Sequence, residues 1–125
     1  MPVYHNPSDL APQFYSYGVS VKSPSRILFL AGQIAALEDG SVPEAIAEQT
    51  RVCFAKVRKV LACDGMTLAD VTRLNYYLTK REDFAEFHQE RMKELGNLKP
   101  ASTLVFVSSL TQPRYRLEIE AIAAA

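Results

Sequence analysis

The sequence predicts an α+β domain with elements in the order β-β-α-β-α-β-β and both helices on one face of a mixed sheet. Short runs rich in Val, Ile, Leu, Phe and Tyr, bounded by Gly, Pro, Ser and Asp, mark the strands. Two longer segments switch to the spacing of an amphipathic helix. Two helices are too few to cover both faces of a sheet of about five strands, so both pack on one face. The other face carries Leu, Val, Phe, Ile and Tyr in quantity, more than water should meet, and predicts a subunit interface.

Residues 1–17 hold Pro2, Pro7 and Pro12 among tyrosines and polar residues and read as an extended, irregular lead-in. Gly18–Lys22 alternates apolar with polar and makes a short strand, closed by the Ser23-Pro24-Ser25 turn. Arg26–Ala31 is a nearly continuous apolar run ended by Gly32, the pattern of a strand covered on both faces. After the Glu38-Asp39-Gly40-Ser41 turn, Ile46, Thr50, Cys53, Phe54, Val57, Val60 and Leu61 fall on one helical face, with Glu48, Arg51, Lys56, Arg58 and Lys59 opposite. Pro43 suits the first turn of that helix and Asp64-Gly65 its end. Thr67–Asp70 has the spacing of a capping box, with Asp for Glu, and predicts a single helical turn. Val71–Thr79 reads as a strand. Thr79–Glu82 matches a second capping box, before a helix whose apolar stripe is Phe84, Phe87, His88, Met92 and Leu95 and whose stop is Gly96-Asn97. Strands over Leu104–Val107 and Leu117–Ala123 follow.

With 125 residues, the chain is read as one domain over 1–125. Lys plus Arg and Asp plus Glu number 14 each, a formal net charge of zero with His neutral. That balance lacks the electrostatic footprint of a nucleic-acid binder and mildly favours an assembly that covers apolar patches. Cys53 and Cys63 stand about 15 Å apart along one predicted helix, beyond disulfide reach. No His lies at ligand spacing, which argues against zinc. Two reduced, packed thiols are therefore expected. No leader-like or membrane-spanning apolar run is evident, so a cytoplasmic chain with no membrane partner is expected.

Glu118 and Glu120 interrupt the last strand. Side chains alternate along a strand, so both carboxylates point the same way as Ile122, opposite Leu117, Ile119 and Ala121. On a covered face, each needs a partner or a job, because an unpaired buried charge is very costly.

Phe14-Tyr15-Ser16-Tyr17-Gly18-Val19 resembles the Pro-Tyr-Ser-Gln-Gly-Val lead-in of the RidA (YjgF) family, and Ala31-Gly32-Gln33-Ile34 resembles its Ser-Gly-Gln-Ile segment. Asp83-Phe84, Lys99-Pro100-Ala101 and Glu118-Ile119-Glu120-Ala121-Ile122-Ala123 fall at that family's positions and intervals. The resemblance covers essentially the whole chain. It implies a chorismate-mutase-like fold and a homotrimer with a small-molecule cleft between each pair of subunits. It also implies hydrolysis of small enamines or imines to a 2-oxo acid and ammonia, without metal or organic cofactor. Carried over by position, it implies Glu118 and Tyr15 as the catalytic residues that handle water or protons. Gly32, Ser102, Thr103, Leu104 and His88 are then implied as substrate-binding.

Ser102 is the serious departure, since it stands where the family has an arginine that grips the substrate carboxylate. Leu104 replaces a frequent cysteine, His88 a frequent asparagine and Ala31 a serine. A hydroxyl offers one neutral donor where a guanidinium offers two charged ones, each contributing about 1.5–3 kcal/mol. Acids of the 2-aminoacrylate type are therefore disfavoured as substrates. Arg114 and Arg116 lie nearby in sequence, but Gln112-Pro113-Arg114-Tyr115 reads as an exposed turn. By residue type alone, Glu120 suits a structural pair and His88 suits packing on the sheet side of its helix. Two functions follow as expectations: a cofactor-free hydrolase or deaminase acting on a small C–N compound, or a trimeric binding protein without turnover. Ribonuclease activity, attached to some family members by name, is disfavoured by the zero net charge and the lack of a basic, aromatic-interleaved patch.

Overall fold

The computed structural model of the chain describes residues 1–125. The lead-in is not irregular throughout. Pro2–His5 (β1) pairs antiparallel with Gly18–Val21 (β2), Val3 opposite Ser20 and Tyr4 opposite Val19, as a ribbon separate from the main sheet. Pro2 is the first residue of the paired strand, opposite Val21, and Pro7 lies beyond its end, so neither interrupts it. The main sheet holds Ile27–Gln33 (β3), Val71–Leu78 (β4), Ala101–Phe106 (β5) and Leu117–Ala124 (β6), in the order β3-β6-β4-β5. β6 runs antiparallel to both neighbours, whereas β4 and β5 are parallel. The parallel pair needs a crossover, which the helix Phe84–Leu95 (α2) supplies. Ile46–Ala62 forms the longer helix, α1. The predicted α+β architecture stands, with the sheet one strand narrower because β2 has left it.

Leu74, Tyr76 and Leu78 of β4 and Leu117, Ile119, Ala121 and Ala123 of β6 point into the core, against Ile46, Cys53, Phe54, Val57 and Leu61 of α1. The Tyr76 ring meets both Phe54 of α1 and Phe87 of α2, at centroid distances of 6.4 and 5.2 Å, so both helices lie on one face. Each fully buried Leu or Ile contributes about 1.5–3 kcal/mol through removal from water. β3 differs from its prediction. Leu28 and Leu30 turn inward, but Phe29 is 72% and Ile27 54% exposed, so helices cover only one face of it.

Tertiary contacts overrule several local signals. α1 begins at Ile46, and Pro43 lies ahead of it, its carbonyl accepting from Gln49 Nε2 at 2.8 Å. Gln49 is buried, also donates to the Arg114 carbonyl (3.0 Å) and accepts from the Arg116 N–H (3.0 Å). The Thr67–Asp70 capping box forms. The one predicted at Thr79–Glu82 does not. There a short 3₁₀ turn, Arg81–Asp83, has no side-chain cap, and Asp83 accepts from Arg116 Nε (2.9 Å) and Nη2 (2.8 Å). Asp83, at the N-cap of α2, spends its carboxylate on this bidentate ion pair and caps nothing. α2 turns Phe87, Arg91 and Leu95 to the core, leaving Phe84 39% exposed. Its buried line thus includes a guanidinium that an apolar pattern passes over.

Both cysteines are free, Cys53 buried and Cys63 exposed just past α1, so the expectation of packed thiols holds for Cys53 alone. Burial pushes the Cys53 thiol up to about 12. At about pH 8, a thiol reagent should therefore modify Cys63 in the native protein and reach Cys53 only after unfolding. Rapid modification of both thiols in the native state would contradict this packing.

Candidate functional site

β6 is central in the sheet, and its register sets Glu118 beside Tyr77 and Glu120 beside Asn75. Both carboxylates thus stand on the face that carries no helix. Their surroundings differ. Glu120 accepts from Asn75 Nδ2 (3.1 Å) and from the Tyr77 hydroxyl (2.5 Å), and this bond raises the Tyr77 phenol above its ordinary range. Its structural role is filled by neutral cross-strand donors rather than by an ion pair. Glu118 has no hydrogen-bonding or ionic side-chain partner within the chain. It lies directly on Gly32, where an added Cβ would overlap Oε2 and come within 2.7 Å of Cδ. β3 shifts register between Leu30 and Gln33, and this irregularity brings the Gly32 backbone up to the carboxylate.

The other predicted residues divide between the two faces. Thr103 pairs with Asn75, which puts it on the Glu118 face, where its Oγ1 accepts from Arg73 Nη2 at 2.7 Å. Ser102 pairs with Leu74 and Leu104 with Tyr76, which puts both on the helix-covered face. On that side, His88 stacks on Phe84 (5.8 Å, 5° between planes) and meets the Phe14 ring edge-on at 4.9 Å. It does not face the sheet as the apolar stripe predicted, because Phe87 and Arg91 occupy that line. Tyr15 packs against Phe14 at 5.1 Å and Tyr17 at 5.6 Å. His88 Nδ1 accepts from Arg91 Nε (3.2 Å) and Nη2 (2.7 Å). Partial burial and the adjacent guanidinium hold the imidazole below its ordinary value, which favours the neutral ring. A neutral ring whose Nδ1 accepts from Arg91 carries its proton on Nε2.

One chain therefore assembles Glu118, Gly32 and Thr103 on one face, and Ser102, Leu104, His88 and Tyr15 on the other. Arg114 bonds Gln112 (2.9 Å) and Arg116 bonds Asp83 and the Glu44 carbonyl, so neither is turned toward Ser102. No three His, Cys, Asp or Glu side chains converge as a metal site. Residue types alone did not single out Asn75 and Tyr77, which separate Glu120 from Glu118, or Arg91, which holds His88. The cross-strand register carries the first distinction, and an Arg three residues after a His on one helix is the only local sign of the second.

A family model described as Endoribonuclease L-PSP matches residues 8–125. The chain belongs to this family, which is the RidA (YjgF) family. Relatives include the mitochondrial protein mmf2 of Schizosaccharomyces pombe, 34% identical over 110 residues and covering 86% of each chain. A RutC family protein of Pyrococcus horikoshii is 34% identical over 109 residues, 86% of this chain and 85% of the relative. Among solved structures, a Rid family protein of unknown function from Yersinia pestis superposes with a TM-score of 0.87 at 29% identity, over 99% of this chain and 98% of that one. Escherichia coli TdcF with bound serine gives a TM-score of 0.76 at 25% identity, over 96% and 93%. The shared fold is the chorismate-mutase-like one. TdcF is named, provisionally, a reactive intermediate deaminase. No helix of this RidA-family chain is long and apolar enough to cross a membrane.

The flexible Glu118 side chain, from Cγ outward, stands where a Gly32 side chain would lie. Gly32→Ala should therefore unfold within about 1 kcal/mol of the wild type while displacing the carboxylate. The Glu118 13Cδ chemical shift should move, and that of Glu120, held by Asn75 and Tyr77, should stay. An unmoved Glu118 signal would contradict the contact.

Proposed function

We propose that the protein is a RidA-like hydrolase, a homotrimer whose inter-subunit clefts add water to the C=N bond of a small imine and release ammonia without metal or organic cofactor. The observation that carries this reading is Glu118. It is a carboxylate without a partner, on a face whose exposed Ile27 and Phe29 need cover, against a glycine backbone. A carboxylate left there without a partner is explained by a water or ligand that meets it. The division of the candidates between two sheet faces supports the assembly, because Glu118 of one chain and Tyr15 of the same chain are separated by the sheet itself. A cleft that joins them takes one group from each of two subunits.

In the proposed reaction, Glu118 accepts a proton from water as the water oxygen bonds to the imine carbon. The nitrogen takes a proton from the Tyr15 hydroxyl to give the carbinolamine. As this collapses, its own hydroxyl proton returns to Tyr15, the C–N bond breaks, and the nitrogen leaves as ammonia with the proton held by Glu118. A ketone or 2-oxo acid remains. Atoms and charge balance without an oxidant or a second substrate. General acid–base assistance of this kind contributes about 10²–10⁴-fold. Ser102 itself gives a substrate carboxylate no more than one neutral hydrogen bond, and that favours the second reading, a trimer that binds a metabolite without turnover.

Ammonia release separates the two. Imines generated in the assay, one from 2-aminoacrylate and one lacking a carboxylate, should yield ammonia faster than the buffer background. Glu118→Gln should lower the rate by about 10²-fold while the ketone product still binds. Rates equal to background for both imines, with ligand binding intact, would overturn the hydrolase in favour of the binding protein.

A further inference from the structure

Three charged side chains are buried in this fold: Asp83, Glu90 and Arg91. Asp83 is paired with Arg116, and Glu90 with Arg51 and Lys93. Arg91, 2% exposed, has no carboxylate partner. Its guanidinium lies among aromatic rings, 4.2 Å from the Phe14 centroid and 4.9 Å from those of Tyr76 and Phe87, with Phe84 at 6.0 Å. The polar group that meets it with good geometry is His88 Nδ1. The Tyr76 hydroxyl, buried beside it, faces the guanidinium and interacts with one of its donors, but without the geometry of a full hydrogen bond. A guanidinium carries five N–H donors, so this one keeps unused donors in a low-dielectric cage, where an anion would be bound most strongly.

Its position gives the cage a use. Tyr76, under the guanidinium, pairs in register with Leu104, and its neighbour Leu74 pairs with Ser102. Arg91 thus lies over the strand next to Ser102, on the same face, and Phe14 closes over it with Tyr15 alongside. The cover is held by packing, which buries Ser16, and not by hydrogen bonds to the rest of the fold. Within residues 6–17 the hydrogen bonds are internal: Leu10 N–H to the Pro7 carbonyl, the Tyr17 hydroxyl to the Ala11 carbonyl, and Tyr17 N–H to Asn6 Oδ1. Phe14 meets α2 through its ring alone, against His88 and Arg91. It can swing away without breaking a hydrogen bond.

We propose that Arg91 is the carboxylate receptor of the cleft, supplying from α2 the guanidinium that position 102 lacks, with Phe14 as a cap that the bound acid displaces. The ligand class is a small monocarboxylic acid, a 2-oxo acid or its imine. The inference rests on the cleft location proposed above, but not on turnover there.

Binding of 2-oxobutanoate and of 2-butanone, which lacks the carboxylate, tests it. The wild type should prefer the acid by at least about tenfold. Arg91→Met, apolar and able to fill the cage, should lose that preference while keeping its melting temperature and its affinity for 2-butanone. Arg91→Lys should restore part of it. Phe14→Ala should tighten acid binding and leave ketone binding unchanged, which decides the matter even if Arg91→Met fails to fold. An anion on the guanidinium also cancels the positive charge beside His88 Nδ1. The His88 titration followed by NMR should therefore move up with 2-oxobutanoate and not with 2-butanone, a response that a purely structural arginine would not give. Equal affinities for acid and ketone, a preference that survives Arg91→Met, acid binding not tightened by Phe14→Ala, or no acid binding at all would each overturn the proposal. Arg91-dependent acid binding without ammonia release would leave it standing and remove only the hydrolase.

Discussion

Strand β6 runs through the centre of the sheet, and the alternation of its side chains constrains everything around it. Leu117, Ile119, Ala121 and Ala123 are committed to the helix-covered core, so Glu118, Glu120 and Ile122 must stand on the opposite face. A slip of one residue would bury two carboxylates among Phe54, Val57 and Tyr76, and this fixes the register firmly. The same commitment keeps Glu118 away from every residue that belongs to the helix side. Tyr15, His88, Ser102 and Leu104 are gathered there by the Phe14 contact with α2 and by the pairing of β5 with β4. The chemistry proposed for this set of residues therefore rests on association of subunits, the proposed way to bring its two halves into one cleft.

The two carboxylates show how like residues on one face acquire different roles. Glu120 is satisfied by Asn75 and Tyr77 across the strand, so it fastens β6 to β4. Glu118 lies where β3 shifts register and presents Gly32, which supplies space instead of a donor. The lone pairs of Glu120 are taken up by two donors, whereas those of Glu118 are open to water or a ligand. Arg91 and His88 form a comparable contrast on the other face. The imidazole lone pair is spent on the guanidinium, which leaves His88 a neutral spacer and Arg91 with donors to spare.

Much of this was legible in the sequence. The apolar spacing of α1 identified most of its buried face, and Gly65 and Gly96 mark its end and that of α2 in left-handed backbone, with φ of 67° and 57°. The alternation Leu117-Glu118-Ile119-Glu120 already placed both carboxylates on one face. What stayed hidden depends on partners distant in sequence. β1 exists because β2 pairs with it across the Pro-containing loop, and no local pattern announces that. The second capping box does not form, and α2 starts instead after Asp83, whose carboxylate pairs with Arg116 from a distant part of the chain. Arg91 reads as a surface residue on any apolar scale, and only the rings of Phe14, Tyr76 and Phe87 make its burial tolerable.

The central claim is that Glu118 and Tyr15 act in one cleft from different subunits, and subunit mixing tests it most directly. Glu118→Gln and Tyr15→Phe proteins, each folded and each strongly impaired in ammonia release, are unfolded together and refolded as hybrids. Shared clefts predict that intact pairings reappear and restore about one quarter of the wild-type rate in a random mixture of heterologous trimers. A site contained within one chain would leave the mixture as inactive as its parts.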